Sequence, residues 1–363
     1  MAGGVAALFQ GPGRPSELVE YPLRPPAPGE VLVRVLLSTV CGSDVHAWTG
    51  RRPLPTPAIL GHEIVGVIEA LGGDVPRDLL GRTLAPGQRV TWTEYIACGH
   101  CVPCSELALP QKCVYGRKYG HEPAVHPPHL LGGFGRFCYL LPGTGIVRVP
   151  EELLDDEVAP VNCGVATMAA VTEAAAIEAG DTVVVFGAGL LGLYGVAMAR
   201  AKGAAQAVAI DAVEGRRALA RRFGADEAID ASDRRAEERT TWIAERSRRG
   251  GADVVIETAG AATALAEGVR LLRPGGRAVT AGLVVPGSIA TLDASEIVRR
   301  CATIRGVHNY APRHLVAALD FVREHRHHLP LRELIDARFP LQAVDAALAA
   351  AAERRALRPA VLP

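Results

Sequence analysis

The segment Thr182–Ala199, TVVVFGAGLLGLYGVAMA, is the most informative part of the chain about its fold. It begins with a β-branched run typical of a buried strand, passes through closely spaced glycines and continues as an apolar helical segment. Its 18 residues carry no charge, which is long enough for a transmembrane helix. The glycines at positions 187, 189, 192 and 195 instead favour a buried strand that turns into a buried helix.

The same alternation of strand and helix continues along the chain after this stretch. Further strands are predicted at Gln206–Asp211, Asp253–Glu257, Arg277–Gly282 and Ala302–Val307. Helices are predicted at Leu190–Lys202, Gly215–Phe223, Arg234–Arg248 and Ala261–Leu271. Strands that alternate with helices form parallel βαβ units, so we expect an α/β domain with a doubly wound parallel sheet.

The first 150 residues have a different character. They are rich in Pro and Gly, and turn-forming residues separate short apolar runs, which is typical of an irregular, mostly β domain. The 363 residues are too many for one compact core and suit two domains. We predict a mostly β domain over 1–150, a nucleotide-binding domain over 151–309 and a C-terminal segment over 310–363.

Charge and composition exclude several classes of protein. The 39 basic residues balance 39 acidic ones, so the chain lacks the basic excess of a dedicated nucleic-acid binder. No polybasic run lies beside an apolar one, which argues against a membrane partner. The N-terminus lacks the basic region of a signal peptide. We therefore expect a soluble, cytoplasmic protein that binds neither nucleic acid nor membrane.

The glycine motif after the first strand predicts a dinucleotide site. Gly187, Gly189 and Gly192, with Leu190 and Leu191 between the last two, match the G-x-G-x-x-G pattern between a strand and a helix. The first glycine permits the tight turn, the second lets a pyrophosphate approach the backbone, and the third lets helix and strand pack closely. A glycine-rich turn that binds nothing is the alternative.

An acidic residue at the end of the next strand predicts which dinucleotide binds. Asp211 lies where the ribose-binding acid is expected, and its carboxylate would repel a 2′-phosphate, so NAD is favoured over NADP. Arg216 is near enough in sequence to weaken that preference.

Four cysteines within sixteen residues predict a structural zinc site. Cys98, Cys101, Cys104 and Cys113 can complete a closed tetrahedral shell with no open position for chemistry. Because the chain shows no secretory signal, metal is favoured over disulfides. Free surface thiols and a zinc ribbon for nucleic acid are the alternatives.

A second metal site is predicted from Cys41 in CGSDVH and His62 in GHE. A catalytic zinc has three protein ligands and an open position. Spacing does not choose the third ligand, and a buried free thiol with a hydrogen-bonded core histidine is the alternative. The candidates for that third ligand are Cys163, Cys138, Cys301, Glu63 and His46.

The order of the motifs carries a family resemblance. CGSDVH, GHEIVG, the four-cysteine loop, GGFGRF, NCGVAT and GAGLLG follow one another along nearly the whole chain. This resembles the zinc-dependent alcohol dehydrogenases of the medium-chain dehydrogenase/reductase superfamily. The resemblance implies a GroES-like catalytic domain, a Rossmann domain for NAD, a C-terminal segment that returns to the catalytic domain, two zinc ions per chain, and a homodimer or homotetramer.

The resemblance also assigns the metal ligands. It implies that Cys41, His62 and Cys163 hold the catalytic zinc. Many relatives have a carboxylate in place of Cys163. Glu63 corresponds to a carboxylate that can approach the metal, and Asp44 to the acid that orients the zinc-bound histidine.

The remaining roles concern the proton and the cofactor. Zinc lowers the pKa of the alcohol, and the resulting alkoxide transfers a hydride to C4 of the nicotinamide. Ser43 takes the proton and His46 passes it to solvent through the cofactor ribose. Thr167 corresponds to a position near the nicotinamide, and Arg216 to a basic residue near the adenosine ribose. Turn hydrogen bonding is the alternative for Ser43 and His46.

The substrate is left open by the sequence. The cysteine loop is one residue longer than usual, and the segment 114–131 is expected to shape the substrate pocket. Its basic residues suit a phosphate, phosphonate or polyol, or are simply solvated; they are Arg117, Lys118, His121 and His126. RKYGHE resembles a phosphonate- and cyclitol-associated subgroup, whereas a second resemblance is to dehydrogenases of terpenoid alcohols such as hydroxycamphor. A non-catalytic redox sensor with structural zinc only is the alternative of another class.

Overall fold

A computed structural model describes residues 3–74, 77–232 and 235–363 of the chain. The chain divides into two compact units. The first unit comprises Met1–Ala166 and Tyr310–Pro363, and the second comprises Thr167–Asn309. Arg234, where one helix was predicted to begin, lies outside the described residues.

The first unit is built on antiparallel strands. Before the second unit its strands are β1 (Gly4–Phe9), β2 (Glu17–Tyr21), β3 (Val31–Thr39), β4 (Ala58–Ile59), β5 (Glu63–Leu71), β6 (Arg89–Ile96), β7 (Arg117–Lys118), β8 (Phe137–Leu140) and β9 (Thr144–Arg148). Its early helices are α1 (Gly42–Trp48), α2 (Val102–Ser105) and α3 (Asp155–Val158), and α4 (Ala166–Ala174) leads into the second unit.

The second unit contains one parallel sheet with helices between its strands. The strands are β10 (Thr182–Phe186), β11 (Gln206–Asp211), β12 (Glu227–Asp230), β13 (Ala252–Glu257), β14 (Leu272–Thr280) and β15 (Thr303–Gly306). The helices are α5 (Leu190–Ala201), α6 (Glu214–Arg222), α7 (Ala236–Arg246), α8 (Ala262–Leu271) and α9 (Ala294–Arg299). The strand order is β12-β11-β10-β13-β14-β15, and every pairing in it is parallel. This confirms the predicted doubly wound sheet.

The chain then returns to the first unit. The elements of this segment are α10 (Pro312–His325), β16 (Ala337–Pro340), α11 (Val344–Ala352) and β17 (Pro359–Leu362). β17 pairs with β3 and extends the larger sheet to the order β16-β17-β3-β5-β6-β7, with β8 on β3 and β9 on β6. A core that includes the buried residues Val33, Ile64, Trp92 and Tyr119 lies beneath these strands.

The uncharged stretch Thr182–Ala199 folds as a buried strand followed by a helix, as its glycines predicted. β10 is buried along its whole length, so it shows no alternation of apolar and polar residues. It ends at Phe186, Gly187 begins the turn, and α5 follows from Leu190. Within the described residues, no helix is both long and apolar enough to cross a bilayer.

The structure differs from the sequence prediction in the domain boundary and in two elements of the second unit that were not predicted, β12 and α9. Residues 151–166, assigned above to the second domain, lie in the first unit, because α3 and the turn after it pack against strands β3, β5 and β6. β12 was not predicted, because an edge strand of four residues is too short to show a pattern.

Candidate active site and structural metal centre

Three ligand side chains meet in the first unit although they are far apart in sequence. Cys41 immediately precedes α1, His62 immediately precedes β5, and Cys163 lies in a π-helical turn over Val161–Val165. Their ligand atoms all lie within 4.8 Å of one another, and the Sγ atoms of Cys41 and Cys163 are 3.9 Å apart. We refer to these three residues as the three-ligand cluster.

Tertiary structure narrows the choice of the third ligand. Cys138 points into the core of the first unit, and Cys301 is exposed in the second unit. Among the described residues, neither Glu63 nor His46 belongs to the group of ligand atoms around Cys41 and His62. Cys163 is thus the candidate that the fold brings to the cluster.

Asp44 holds two segments of the cluster together. Its Oδ2 accepts a hydrogen bond from the backbone N–H of Cys41 (2.8 Å), and its Oδ1 accepts one from the N–H of Gly61 (3.1 Å). Oδ1 also lies 3.3 Å from Nδ1 of His62. Because Nδ1 faces this carboxylate, the opposite ring nitrogen, Nε2, is directed to the thiols, which is the arrangement that orients a metal-binding histidine.

The electrostatics of the cluster favour a bound cation. Burial alone would lower the pKa of His62, but Asp44 and Cys41 outweigh it and hold that pKa well above its usual value. A hydrogen bond from Cys163 holds the pKa of Cys41 well below its usual value, and the neighbouring Cys41 in turn raises the pKa of Cys163. Two thiols and an imidazole are ligands that zinc prefers, and a divalent cation removes the repulsion between adjacent thiolates.

Ser43 and His46 occupy different positions relative to the cluster. The hydroxyl of Ser43 lies 3.2 Å from Nε2 of His62, at the ring nitrogen that would face a metal. His46 is half-buried on α1, and its buried Nδ1 makes no hydrogen bond among the described residues. Burial, with a contribution from Arg51, lowers the pKa of His46.

Glu63 is fully buried beside His62. Its charge is balanced by Arg358, a residue that the sequence analysis did not single out. Oε2 of Glu63 accepts a hydrogen bond from Thr39 (2.5 Å) and lies 3.5 Å from Nη1 of Arg358. Burial raises the pKa of Glu63 to about 8. Arg358, buried at the start of β17, also donates to the backbone oxygen of Val40 (2.9 Å). No local motif surrounds Arg358, so only the return of the chain reveals its position.

Asn162 was also missed, although it adjoins Cys163 in the quoted NCGVAT motif. Its Nδ2 donates hydrogen bonds to the backbone oxygens of His62 and Trp92, both 2.9 Å long. Its Oδ1 accepts one from the N–H of Ile64 (3.2 Å). This buried amide therefore fixes the strand that carries His62 to the turn that carries Cys163.

The four-cysteine loop forms a separate, closed cluster. The Sγ atoms of Cys98, Cys101, Cys104 and Cys113 all lie within 4.8 Å of one another. The Sγ separations of 3.4 Å for Cys101–Cys104 and 3.8 Å for Cys101–Cys113 are close to the roughly 3.8 Å edge of a tetrahedron with Zn–S bonds of about 2.3 Å. Four thiols at these separations fit a structural zinc.

Backbone N–H groups of the loop donate hydrogen bonds that stabilise thiolates. The N–H of Cys98 donates to Sγ of Cys113, and the N–H of Cys101 donates to Sγ of Cys98. Burial opposes ionisation of Cys101, but backbone hydrogen bonds from Val114 and Cys104 outweigh it and lower its pKa to about 6. Burial and the neighbouring Cys101 raise the pKa of Cys104 to about 12.

Polar side chains lie beside the three-ligand cluster. Oε2 of buried Glu94 is 3.8 Å from Nε2 of His62 and 3.1 Å from Nζ of Lys118. The rings of His62 and His121 have centroids 5.3 Å apart, and Nε2 of His121 is 3.3 Å from Nη1 of Arg52. Glu94 and Arg52 carried no signal in the sequence.

The other two basic candidates of this segment lie elsewhere. Arg117 is exposed and pairs with Glu122 (2.8 Å), and His126 is exposed. Of the four residues proposed to meet the substrate, the structure therefore brings Lys118 and His121 to the cluster.

The glycine motif of the second unit fits a pyrophosphate. Gly187 has φ +89°, and a Cβ there would lie 2.7 Å from the N of Ala259. A Cβ on Gly192 would lie 1.7 Å from the oxygen of Gly187. A Cβ on Gly189 would meet no atom within 4 Å, so this glycine leaves open space at the N-terminus of α5, where Leu190 and Leu191 form the first turn. Open space beside free helical N–H groups suits a phosphate.

The ribose-binding candidates lie at the end of β11. Asp211 accepts hydrogen bonds from the N–H of Ala188 (2.7 Å) and of Val213 (2.8 Å), which fix its carboxylate against the glycine turn. Arg216 is half-buried on α6, whereas its neighbour Arg217 donates to the backbone oxygen of Asp211 (2.9 Å). Thr167 is half-buried in the first turn of α4.

Comparisons with known proteins agree with this arrangement. The family model for the alcohol dehydrogenase GroES-like domain matches residues 27–151, and that for zinc-binding dehydrogenases matches residues 191–324. The 5-exo-hydroxycamphor dehydrogenase of Pseudomonas putida is 35% identical over 92% of this chain and 91% of its own length. The D-xylulose reductase A of Aspergillus oryzae is 33% identical over 70% of this chain and 68% of its own length.

A solved structure covers the whole fold. An alcohol dehydrogenase of Thermotoga maritima superposes with a TM-score of 0.95 at 33% identity, covering 100% of both chains. The fold, the two clusters of ligands and the identity over nine-tenths of the chain lead to one conclusion. This chain belongs to the zinc-dependent alcohol dehydrogenases of the medium-chain dehydrogenase family, which act on small alcohols with zinc and a nicotinamide cofactor.

Proposed function

We propose that the three-ligand cluster is the catalytic centre of an NAD-dependent alcohol dehydrogenase that acts on a polar primary or secondary alcohol. The observation that carries the proposal is the 3.2 Å separation between the Ser43 hydroxyl and Nε2 of His62. It puts a proton-accepting group beside two thiols and an imidazole, a donor set that leaves one zinc coordination position open for substrate.

The residues of the cluster have distinct roles in this mechanism. Cys41, His62 and Cys163 hold the metal, and Asp44 keeps His62 in the orientation that directs Nε2 to it. Lewis acidity, which lowers the pKa of an alcohol, is the chemistry that zinc supplies when bound. Ser43 accepts the proton of the alcohol hydroxyl, and His46, whose Nδ1 is available for a hydrogen bond, passes it towards solvent.

Glu63 and Arg358 support the charge balance of the centre. Arg358 compensates the buried carboxylate of Glu63, which would otherwise be costly beside two thiols. With zinc bound at Cys41, His62 and Cys163, Glu63 would be a neighbouring carboxylate beside His62 that could approach the metal. Acceptance of a hydride at C4 is the chemistry that the nicotinamide supplies when bound.

Zinc content per purified chain tests the two metal centres. Two zinc ions per chain, measured by elemental analysis, are the expected result, one for each group of ligands. One zinc that survives substitution of Cys41 but disappears with Cys113→Ser would contradict the catalytic assignment. That result would favour the alternative of a non-catalytic dinucleotide-binding sensor with structural zinc only.

We also propose that NAD is preferred over NADP. The Asp211 carboxylate at the end of β11 meets ribose hydroxyls favourably and repels a 2′-phosphate, by about 1–4 kcal/mol at contact distance. Arg216 beside it reduces the preference. We expect kcat/KM for NAD to exceed that for NADP by roughly tenfold or more. Asp211→Asn should reduce this ratio, whereas Asp226→Asn, an exposed partner of Arg200, should leave it unchanged.

The apolar terpenoid alcohols form a second candidate substrate class. The relative from Pseudomonas putida is named for 5-exo-hydroxycamphor, and this is the observation that favours them. The charged residues beside the cluster favour polar alcohols instead, because an apolar substrate would leave Glu94 and Lys118 without polar partners other than each other. Relative kcat/KM for borneol and for inositol or xylitol separates the two classes.

A homodimer or homotetramer is proposed from an edge strand. β15, predicted from ATIRGV to end the sheet, does end it and carries partly exposed residues. Sheet edges pair between chains about two-fold axes. Light scattering should show a dimer or tetramer, Arg305→Pro should weaken it, and a monomeric wild type would contradict the assignment.

A further inference from the structure

An ion pair between a buried carboxylate and a half-buried lysine lies beside the three-ligand cluster and is not explained by zinc binding or by proton transfer. Glu94 lies on β6 with its side chain 2% exposed, and Lys118 lies on the neighbouring strand β7 with its side chain 19% exposed. The pairing of β6 with β7 places Lys118 opposite Tyr95, next to Glu94 in the chain. Nζ of Lys118 and Oε2 of Glu94 are 3.1 Å apart.

The carboxylate of Glu94 lies beside His62 but outside the three-ligand cluster. Its Oε2 is 3.8 Å from Nε2 of His62, the same nitrogen that Ser43 contacts. Among the described residues, the group of mutually close ligand atoms contains Cys41, His62 and Cys163 without Glu94. An oxygen in this position lies beside an alcohol bound at the open coordination position.

Removing the carboxylate of Glu94 from water costs free energy, which suggests that the pair has a role other than packing. A buried ion pair is often no more stabilising than apolar residues of the same volume, so packing alone does not call for one here. Neither partner is saturated by the other, because an ammonium has three N–H donors and a carboxylate has about four acceptor sites. The pair therefore offers one donor and one acceptor to a second hydroxyl of a substrate.

We propose that Glu94 and Lys118 determine specificity by binding a hydroxyl on the carbon next to the one that is oxidised, so that the preferred substrates are vicinal diols and polyols. This inference rests on the proposed function, since it uses the position of an alcohol at the three-ligand cluster. The second hydroxyl donates to Glu94 and accepts from Lys118. Neighbouring oxygens of a vicinal diol lie within hydrogen-bond distance of each other, so both can reach their partners.

The charges around Glu94 and Lys118 disfavour substrates that carry an ammonium group next to the reacting carbon. Glu94 and Lys118 cancel one another, and Arg52, held at 3.3 Å from His121, adds a positive charge on the same side. An ammonium group next to the reacting carbon would lose its favourable solvation and lie near two further cations, Lys118 and Arg52. Neutral diols should therefore be better substrates than the matching amino alcohols.

The test compares three alcohols that differ at one position: cyclohexanol, cis-1,2-cyclohexanediol and 2-aminocyclohexanol. Zinc-loaded wild-type enzyme should show kcat/KM for the diol roughly ten to a hundredfold above cyclohexanol, the range expected for a hydrogen bond to a charged group. The amino alcohol should be the poorest of the three. Calorimetric binding of the diol in the presence of NADH should show the same preference without turnover.

Substitutions of Glu94 and Lys118 test whether these two residues cause the preference for the diol over cyclohexanol. Glu94→Gln and Lys118→Met should each bring the ratio of diol to cyclohexanol close to one, chiefly through KM for the diol. Because the two alcohols share the reacting group, general damage to the enzyme cancels in the ratio. Arg117→Gln is the matched control, since Arg117 precedes Lys118 on β7 but is exposed and pairs with Glu122. Its ratio should equal that of the wild type.

The possible failures separate the two proposals. If the wild type oxidises cyclohexanol as well as the diol, or if both substitutions leave a high ratio unchanged, the role of Glu94 and Lys118 is overturned and the catalytic proposal stands. If the zinc-loaded wild type oxidises and reduces none of a panel of simple, vicinal and terpenoid alcohols and ketones, both proposals fall.

Discussion

The two groups of candidate metal ligands in the first unit differ in how the chain brings them together. The four-cysteine loop draws its ligands from sixteen consecutive residues, 98–113. The three-ligand cluster joins residues as far apart in sequence as Cys41 and Cys163, 122 positions from one another. The local site offers four thiols and is closed, whereas the assembled site offers three ligands and remains open to substrate.

The difference suits two different roles, a structural metal site in the loop and a catalytic one in the three-ligand cluster. The loop has little core of its own, so we expect metal binding to supply much of the free energy that folds it. The three-ligand cluster is held in place by the surrounding fold, through Asp44, Asn162 and the strands they connect. Such a site tolerates an empty coordination position because its geometry does not depend on the metal alone.

The largest effect is expected from Cys41→Ser, which removes a ligand of the assembled site. Turnover should fall by roughly a thousandfold or more, because several kcal/mol of transition-state stabilisation depend on the metal. NAD binding, measured by calorimetry, should be unchanged, and one zinc per chain should remain in the four-cysteine loop. Full activity in this variant would contradict the assignment of the catalytic centre.

Asp44→Asn tests whether the fold positions the ligands of the assembled site. The amide keeps the shape of the side chain but loses the charge that faces Nδ1 of His62 at 3.3 Å. A loss of about 10–100-fold in zinc affinity or activity is expected, as for other residues that orient a metal-bound histidine. Competition with a chromophoric chelator gives the affinity. Asp156→Asn, at a carboxylate that pairs with Arg338, is the matched control and should behave as wild type.

Chelation should distinguish the two sites directly. A chelator such as 1,10-phenanthroline can enter the open coordination position of the assembled site, whereas four thiolates shield the metal in the loop. We expect one zinc to leave at least about tenfold faster than the other, with activity lost in the fast phase. Loss of both ions at one rate, measured by elemental analysis after rapid desalting, would remove the distinction between open and closed sites.

The smallest effect on turnover is expected from Cys113→Ser in the loop. Activity per folded, zinc-loaded catalytic site should stay within about twofold of wild type, because the loop supplies no group to the three-ligand cluster. The Tm should fall by about 4–8 °C, the shift that about 2 kcal/mol produces in a domain of this size. A large drop in kcat without a drop in Tm would mean that the loop takes part in the chemistry.

Local patterns predicted those parts of the molecule that depend on neighbouring residues. β10, the glycine turn and α5 follow from the β-branched run and from Gly187 and Gly192, whose neighbours leave no room for a Cβ. The four-cysteine loop follows from spacing, because its ligands are close in sequence. The edge position of β15 also agrees with the prediction.

Residues that act across long sequence separations could not be predicted in this way. Arg358 reaches Glu63 only because β17 returns to pair with β3. Glu94 looks like an ordinary residue of an alternating strand until β7 brings Lys118 to it.

The fold class, the four-cysteine loop and the cofactor motif could be predicted without a structure, because each is encoded by residues within about one or two turns or strands of one another. Spacing left the third ligand open and the family resemblance implied Cys163; the tertiary structure brings Cys163, rather than Cys138 or Cys301, to Cys41 and His62 and places the ion pair of Glu94 and Lys118 beside them. The physical reason is that an open metal site must be held by the fold around it. Its ligands and the residues that surround its substrate therefore come from strands and turns that meet only when the chain is packed.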